Sequence, residues 1–221
     1  MTQRPLYFVG DPHGDLSPVL SLAHRPPGAV VLVGDIELPG PARTVLAPLL
    51  ERHAVLFVAG NHDAASCQQW SWLMFEKHGI PAGFLGNRVA AVGGVRVAGL
   101  SGVYRGRVWR PGEEARHATR QDWMRSHRER WKGGMPLEHV DTIFPEDHAI
   151  LARQRCDVLV AHEGPSSVHL DLGWSAIDDL AADMGAAWVV HGHHHHSSEN
   201  TLPNGIRVKS LAINEIWEMP Q

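Results

Sequence analysis

Cysteine is scarce: the 221 residues hold only Cys67 and Cys156, and neither lies in a CxxC pair, which excludes a disulfide framework and a thiolate zinc site. Both are expected to be reduced, buried thiols. No apolar run approaches the roughly eighteen residues that a helix needs to cross a bilayer, so no membrane partner is expected. Met1 to Pro5 leads straight into a short strand-like run ending at Asp11, without the apolar stretch and cleavage site of a signal peptide, and a cytoplasmic location is the expectation. Neither GxGxxG nor GxxxxGK followed by Ser or Thr stands after a strand, which weighs against a nucleotide-binding module of those kinds. Basic charge is not in excess either: a net charge of −4 and a pI near 6.4 weigh against a dedicated nucleic-acid binder. With no repeat or low-complexity linker, a single domain over residues 1–221 is expected.

Histidine, by contrast, is abundant, with sixteen residues. The His193 to His196 run lies inside the chain, between a strand-like stretch and a further strand pair, and so belongs to the fold rather than to a terminal tag.

Five short apolar runs, Leu6 to Val9, Ala29 to Val33, Ala54 to Ala59, Asp157 to Ala161 and Ala186 to Val190, read as strands buried on both faces. Between them lie helix candidates over Asp15 to His24, with Asp15 as N-cap, Pro41 to His53, kinked or split at Pro48, Ala65 to His78, Pro145 to Arg155 and Ser175 to Met184. Gly93-Gly94 marks a hairpin within Arg88 to Leu100, and Pro203-Asn204-Gly205 a second one between Glu199 to Leu202 and Ile206 to Ile213. The pattern predicts an α/β architecture.

Each of the five strand candidates delivers metal-ligand chemistry at its carboxyl end: Asp11 and His13; Asp35; Asn61-His62-Asp63; His162; and His193-His194-His195. In open α/β sheets that end forms the ligand-binding edge, so groups scattered through the sequence are expected to converge there. Residues two apart in an extended segment share a side, which makes Asp11 with His13 and His193 with His195 local ligand pairs. Gly34, Gly60 and Gly192 each precede a proposed ligand, where a missing Cβ lets the backbone turn tightly or approach closely. Carboxylate, amide and imidazole ligands without thiolate suit manganese, iron, zinc or magnesium.

Gly10-Asp11-Pro12-His13-Gly14, Gly34-Asp35, Gly60-Asn61-His62-Asp63, His162 and Gly192-His193-His194-His195 together resemble the ordered five-block signature of the calcineurin-like metallophosphoesterases. The resemblance implies a two-sheet β-sandwich flanked by helices with two divalent metal ions at one edge. It assigns Asp11, His13, Asp35 and His195 to one ion and Asp35, Asn61, His162 and His193 to the other, with Asp35 shared. It further implies hydrolysis of a phosphomonoester or phosphodiester by a hydroxide activated between the ions. His62 would stabilise the transition state or protonate the leaving oxygen, Asp63 would orient His62, and Asn61 and His62 would meet the substrate. Gly34 to Pro41 is locally similar to the GDxVDRG block of phosphoprotein phosphatases and dinucleoside tetraphosphatases, although Pro39 stands where those carry a phosphate-binding arginine. Gly99 to Arg105 and His162 to Pro165 resemble segments of the RNA lariat debranching enzyme.

His24, His53, His78, His139, His148 and His169 lie outside the five blocks and are expected to be structural or solvent-facing. His191, His194 and His196 are ambiguous: His191 becomes a ligand only if the register slips, His194 should point away, and His196 either flanks the site or is exposed. Asp171, Asp178, Asp179 and Asp183 are expected to cap or decorate the helix near Ser175, and Trp70 and Trp72 to pack. Residues Gly102 to Lys132 carry nine basic and four acidic side chains, a balance of +5 that leaves −9 for the remainder. Tyr104, Trp109, Trp123 and Trp131 are interleaved with them. Two readings follow. One is an amphipathic surface helix with inward tryptophans; the other is a basic cap or rim, within 102–150, that grips a nucleotide or nucleic-acid phosphoester through Arg105 and its neighbours rather than a phosphoprotein. A histidine-rich metal-binding or regulatory protein without catalysis is the alternative function, which an intact His62 argues against.

Overall fold

Alternation along the strands sorts the apolar side chains into three packed layers. The computed structural model describes residues 4–166 and 172–220; His169 and Asp171 lie outside the described residues. The strands are β1 (Leu6–Val9), β2 (Ala29–Leu32), β3 (Ala54–Phe57), β4 (Val89–Val92), β5 (Val95–Leu100), β6 (Val158–Ala161), β7 (Trp188–His191), β8 (Ser198–Thr201), β9 (Arg207–Ser210) and β10 (Ile216–Glu218). The helices are α1 (Ser17–Ser21), α2 (Ala42–Val45), α3 (Ala47–Leu50), α4 (Cys67–Met74), α5 (Arg120–Ser126), α6 (Pro145–Leu151) and α7 (Ser175–Met184). One sheet has the order β10-β1-β2-β3 and the other β4-β5-β6-β7-β9-β8. β1–β2–β3 and β5–β6–β7–β9 are parallel, while β10, β4 and β8 pair antiparallel at the edges.

Leu6, Phe8, Val31, Val33, Leu56 and Val58 of the first sheet meet Val97, Val158, Val160, Trp188 and Val190 of the second in the middle layer. The alternate residues of the first sheet, Tyr7, Val9, Val30, Leu32 and Phe57, pack outward on Val19, Leu22, Leu46 and Leu49 under α1 to α3. Those of the second, Ala98, Leu159, Ala161 and Val189, pack on Leu151, Ile177, Leu180 and Met184 of α6 and α7. Burial on both faces is why the parallel strands read as unbroken apolar runs. The result is an α/β fold of two sheets face to face with helices outside, as the resemblance implied.

The expected elements form with some differences. Pro48 splits the Pro41 to His53 candidate into α2 and α3, because proline at the second position of α3 has no N–H for the preceding turn. Asp15 accepts the Ser17 N–H at 3.0 Å, one residue ahead of the N-cap, Leu16. Gly93 and Gly94 take φ of 60° and 87°, the left-handed pair that a two-residue hairpin loop requires. The C-terminal strand partner ends at Ser210, and a further strand, β10, crosses to the other sheet beside β1. Between β5 and α6 the only α-helix among the described residues is α5, of 7 residues, so the long amphipathic helix over Gly102 to Lys132 does not form. Trp123 is buried there, while Trp109 and Trp131 are half-buried. Cys156 is buried, but Cys67 is exposed on α4, which corrects the expectation of two buried thiols. No described helix is long and apolar enough to cross a membrane.

Candidate metal centre

The carboxyl ends of β1, β2 and β3 in one sheet and of β6 and β7 in the other meet at one edge of the sandwich. His162 sits at the junction. Its Nδ1–H donates across the sheets to the Val33 carbonyl at 2.9 Å, so in the neutral ring the free lone pair is on Nε2. Around that Nε2 lie Asp35 Oδ2 at 3.4 Å, Asn61 Oδ1 at 3.2 Å and His193 Nδ1 at 3.1 Å.

A second group gathers about the same Asp35 oxygen. His13 Nε2 lies 3.8 Å from Asp35 Oδ2 and 3.0 Å from His195 Nε2, and His195 Nε2 lies 3.6 Å from Asp11 Oδ2. Asp35, His162 and His193, and likewise His13, Asp35 and His195, can each gather ligand atoms about one ion. Bonds of about 2.1 Å to a single tetrahedral or octahedral ion set neighbouring ligand atoms about 3.0–3.4 Å apart, so the first group is already spaced for an ion and the second is slightly wider.

Two further observations fit this donor set to divalent cations. Asp11 is fully buried, yet its Oδ1 has no hydrogen-bond partner; a desolvated carboxylate oxygen of this kind calls for a cation. The backbone also comes unusually close: a Cβ on Gly192 would lie 2.2 Å from Asp11 Oδ1, one on Gly60 2.1 Å from Asp35 Oδ1, and one on Gly34 2.4 Å from His162 Nδ1. These glycines permit the close approach that their positions in the sequence suggested.

The ligand pairs are not presented by extended chain, however. His13, Asp35, His193 and His195 have φ of 43°, 44°, 67° and 53°, in the left-handed region that non-glycine residues rarely occupy. The chain turns sharply after each strand and aims single side chains, so His193 and His195 fall in different groups. Such conformations cost of order 1–3 kcal/mol each and persist where the surroundings over-determine them.

Electrostatics among these side chains follow from this crowding. Burial opposes charge on both Asp35 and His162, but their contact outweighs it, holding the Asp35 carboxyl below its ordinary range and the His162 imidazolium above its own. Burial pushes Asp11 up to about 6 and His193 down to about 4.

His62 is half-exposed, and its Nδ1 lies 3.1 Å from Glu37 Oε1. The same oxygen lies 2.6 Å from Nδ1 of His13. Glu37 is a residue that the motifs did not single out; its only signal in the sequence was its place two residues beyond Asp35, and its own φ of 50° turns it back over the site. Asp63, expected to orient His62, instead receives the backbone N–H groups of Ile36 at 2.8 Å, Glu37 at 3.1 Å and Gly60 at 2.8 Å. It is buried, with its carboxyl pushed up to about 6 by desolvation, and it ties the loop after β2 to the loop after β3. Arg105 lines a hollow of about 470 Å³ that includes Asn61, but its guanidinium is held by the buried Asp141 at 2.8 Å.

The remaining histidines divide as their positions suggested. His53 bonds the Leu22 carbonyl at 2.9 Å, and His148 meets the Tyr104 hydroxyl at 2.7 Å. His191 is buried at the end of β7, pushed down to about 3 by desolvation, and with His194 and His196 it falls outside both ligand groups.

Residues 4–197 match the calcineurin-like phosphoesterase family. An uncharacterized protein of Haemophilus influenzae (strain ATCC 51907 / DSM 11121 / KW20 / Rd) is 35% identical over 193 residues, covering 86% of this chain and 83% of that protein. Among solved structures, the phosphopantetheinyl hydrolase of Mycobacterium tuberculosis is similar with a TM-score of 0.58 at 17% identity, over 96% of this chain and 90% of that one. The protein TT1561 of Thermus thermophilus is similar with a TM-score of 0.59 at 18% identity, over the same shares of 96% and 90%.

Proposed function

Because the chain belongs to the calcineurin-like phosphoesterase family, we propose that it hydrolyses a phosphomonoester or phosphodiester at a binuclear centre held by Asp11, His13, Asp35, Asn61, His162, His193 and His195. The observation that carries this reading is the single oxygen, Asp35 Oδ2, that lies within 3.8 Å of a ligand nitrogen from each of the two groups. Two divalent ions bound there would lower the pKa of water and draw charge from the phosphoryl oxygens.

The chain's own residues supply the rest. Val33 O and Glu37 fix the tautomers of His162 and His13, so that each presents its Nε2 inward. Glu37 holds His62 by Nδ1; the other ring nitrogen has no protein partner among the described residues and is available to protonate the leaving oxygen. Asn61 Oδ1 and the His62 ring face the reacting group from the loop after β3. Residues 102–150 form the rim beyond Asn61, where Arg105 lines the approach. A nucleotide or nucleic-acid phosphoester is the favoured substrate class over a phosphoprotein, on the +5 balance of residues 102–132 within that rim.

The test is a metal-supplemented panel of bis-p-nitrophenyl phosphate, p-nitrophenyl phosphate, cyclic nucleotides, phosphopeptides and branched RNA. Turnover that needs both the added ion and Asp35 supports the reading. Stable binding of two ions without turnover on any of them overturns it in favour of a metal-binding protein without catalysis.

A further inference from the structure

His13 has a second side that the proposed binuclear centre does not use. Its Nε2 faces Asp35 and His195, but its Nδ1 faces outward to Glu37 Oε1 at 2.6 Å, and the same oxygen meets His62 Nδ1 at 3.1 Å. One ligand atom from each of His13, Glu37 and His62 lies within 4.8 Å of the other two, the one further trio of this kind among the described residues. The two imidazole rings stand at 88° with their centroids 5.1 Å apart, so they flank the carboxylate from two directions rather than stacking.

Two imidazoles and one carboxylate are the donors of open zinc sites, which take three protein ligands and leave the next position to water. The trio has that opening: the His62 side chain is 49% exposed and that of Glu37 28%. Bonds of about 2.1 Å set neighbouring ligand atoms about 3.0–3.4 Å apart, so His62 and Glu37 are already spaced for an ion, and Glu37 has to withdraw from His13 by about 0.4–0.8 Å. A half-buried glutamate has the rotamer freedom for that step. Protons hold these places when free metal is scarce, and an ion has to displace them. His13 gives its Nδ1 proton to water and turns one nitrogen inward and the other outward to metal, while His62 takes the ion on Nδ1 and keeps one proton, on Nε2. A ring in that state would become an imidazolate if it gave up the Nε2 proton, so it no longer serves a leaving oxygen. Imidazole donors favour zinc over magnesium or manganese.

We propose that His13, Glu37 and His62 bind a third divalent ion, zinc above all, outside the binuclear centre, and that this ion inhibits the protein by taking His62 from the leaving oxygen. The site itself needs only these three side chains; its inhibitory effect rests on the phosphoesterase reading. Binding is weaker than in the centre, because the trio has one carboxylate, its protons must be displaced, and other cations would already stand beyond His13.

The experiment is elemental analysis of zinc bound per chain after dialysis against buffered free zinc, alongside hydrolysis of 4-nitrophenyl phosphate and phenyl phosphate at the same zinc levels. The unaltered protein is expected to fill its centre first and to take a further ion at free zinc at least about tenfold higher. His62→Ala should keep the first step and lose the second, and Glu37→Gln should move the second to free zinc at least about tenfold higher again. His24→Ala, an exposed histidine outside the trio, should change neither step. Turnover should fall as the second step fills, more for phenyl phosphate, whose leaving oxygen depends on a proton, than for the nitrophenyl ester. No second step in the unaltered protein, a second step that persists in both His62→Ala and Glu37→Gln, or its loss in His24→Ala overturns the site. A second step with the expected dependence that slows neither ester, or slows both equally, overturns the inhibitory role. Absence of turnover at every zinc level, with the second step still dependent on His62 and Glu37, refutes the phosphoesterase reading alone.

Discussion

Gly192 joins β7 to the proposed ligands His193 and His195, and its Cα faces the Asp11 carboxylate so closely that an added methyl would sit 2.2 Å from Oδ1 and 2.8 Å from Cγ. Gly192→Ala therefore removes no ligand atom, and it introduces no left-handed strain, because Gly192 is not among the positive-φ glycines. All of its effect must pass through contact. To restore van der Waals distance the carboxylate has to retreat by about 1 Å, while a metal–ligand bond tolerates about 0.2 Å. The carboxylate has little room to comply, being fully buried and fixed by the His193 N–H at 2.7 Å. Displacing it should weaken binding of the ion proposed at Asp11, His13, Asp35 and His195 by about 10- to 100-fold, or about 1.4–2.8 kcal/mol. The measurement is metal content at buffered free-ion concentrations, with thermal melting of the metal-free and loaded forms. The metal-free melting temperature should stay within a few degrees of the unaltered protein, and the rise on loading should shrink. Two ions bound at unaltered affinity, or a large loss of stability without metal, would show that the clash is absorbed elsewhere and that the reasoning is wrong.

Asp35→Asn should lower the affinity for both ions together, since one carboxylate oxygen faces both groups; selective loss of one ion in a metal titration would refute the shared role. His62→Ala should reduce turnover by about 10²–10⁴-fold with metal content preserved, most strongly for esters with poor leaving groups, and loss of both ions would instead make His62 a structural ligand. Asp141 is pushed up to about 6 by burial, against the pull of Arg105. Its folded pKa is thus above the unfolded value near 3.9, so its contribution to stability is full below about pH 4 and lost as pH rises through about 6. Arg105→Gln should deepen that loss, destabilising the protein by about 2 kcal/mol at neutral pH and less near pH 4, with Asp141→Asn in the same chain restoring stability. Equal destabilisation at both pH values would falsify the assignment.

The groups assigned to the metals were legible because each follows an apolar run, and parallel strands buried on both faces deliver their carboxyl ends to one edge. Their aim was not. Strand alternation put His193 and His195 side by side, but a left-handed turn at each sends them to different groups, and that depends on contacts with Asp11 and His162 from elsewhere in the chain. Glu37 was hidden for the same reason: it meets His13 and His62 only once three strand ends are together. Arg105 looked available for substrate because its partner, Asp141, stands 36 residues away. β10 was missed because three residues, Ile216 to Glu218, carry too little pattern to announce a strand, and its place is set by a neighbour at the opposite end of the chain.

Neither ligand group belongs to a single sheet. His13 and Asp35 leave one sheet and meet His195 from the other, while His162 and His193 leave the second and meet Asp35 from the first. An ion in either place would rivet the halves of the sandwich across their seam. A half-formed sheet, however well ordered, could not capture one. Metal capture would then be a late event in folding that reports the closure of the whole sandwich, and free metal, by binding only the closed form, would draw assembly to completion.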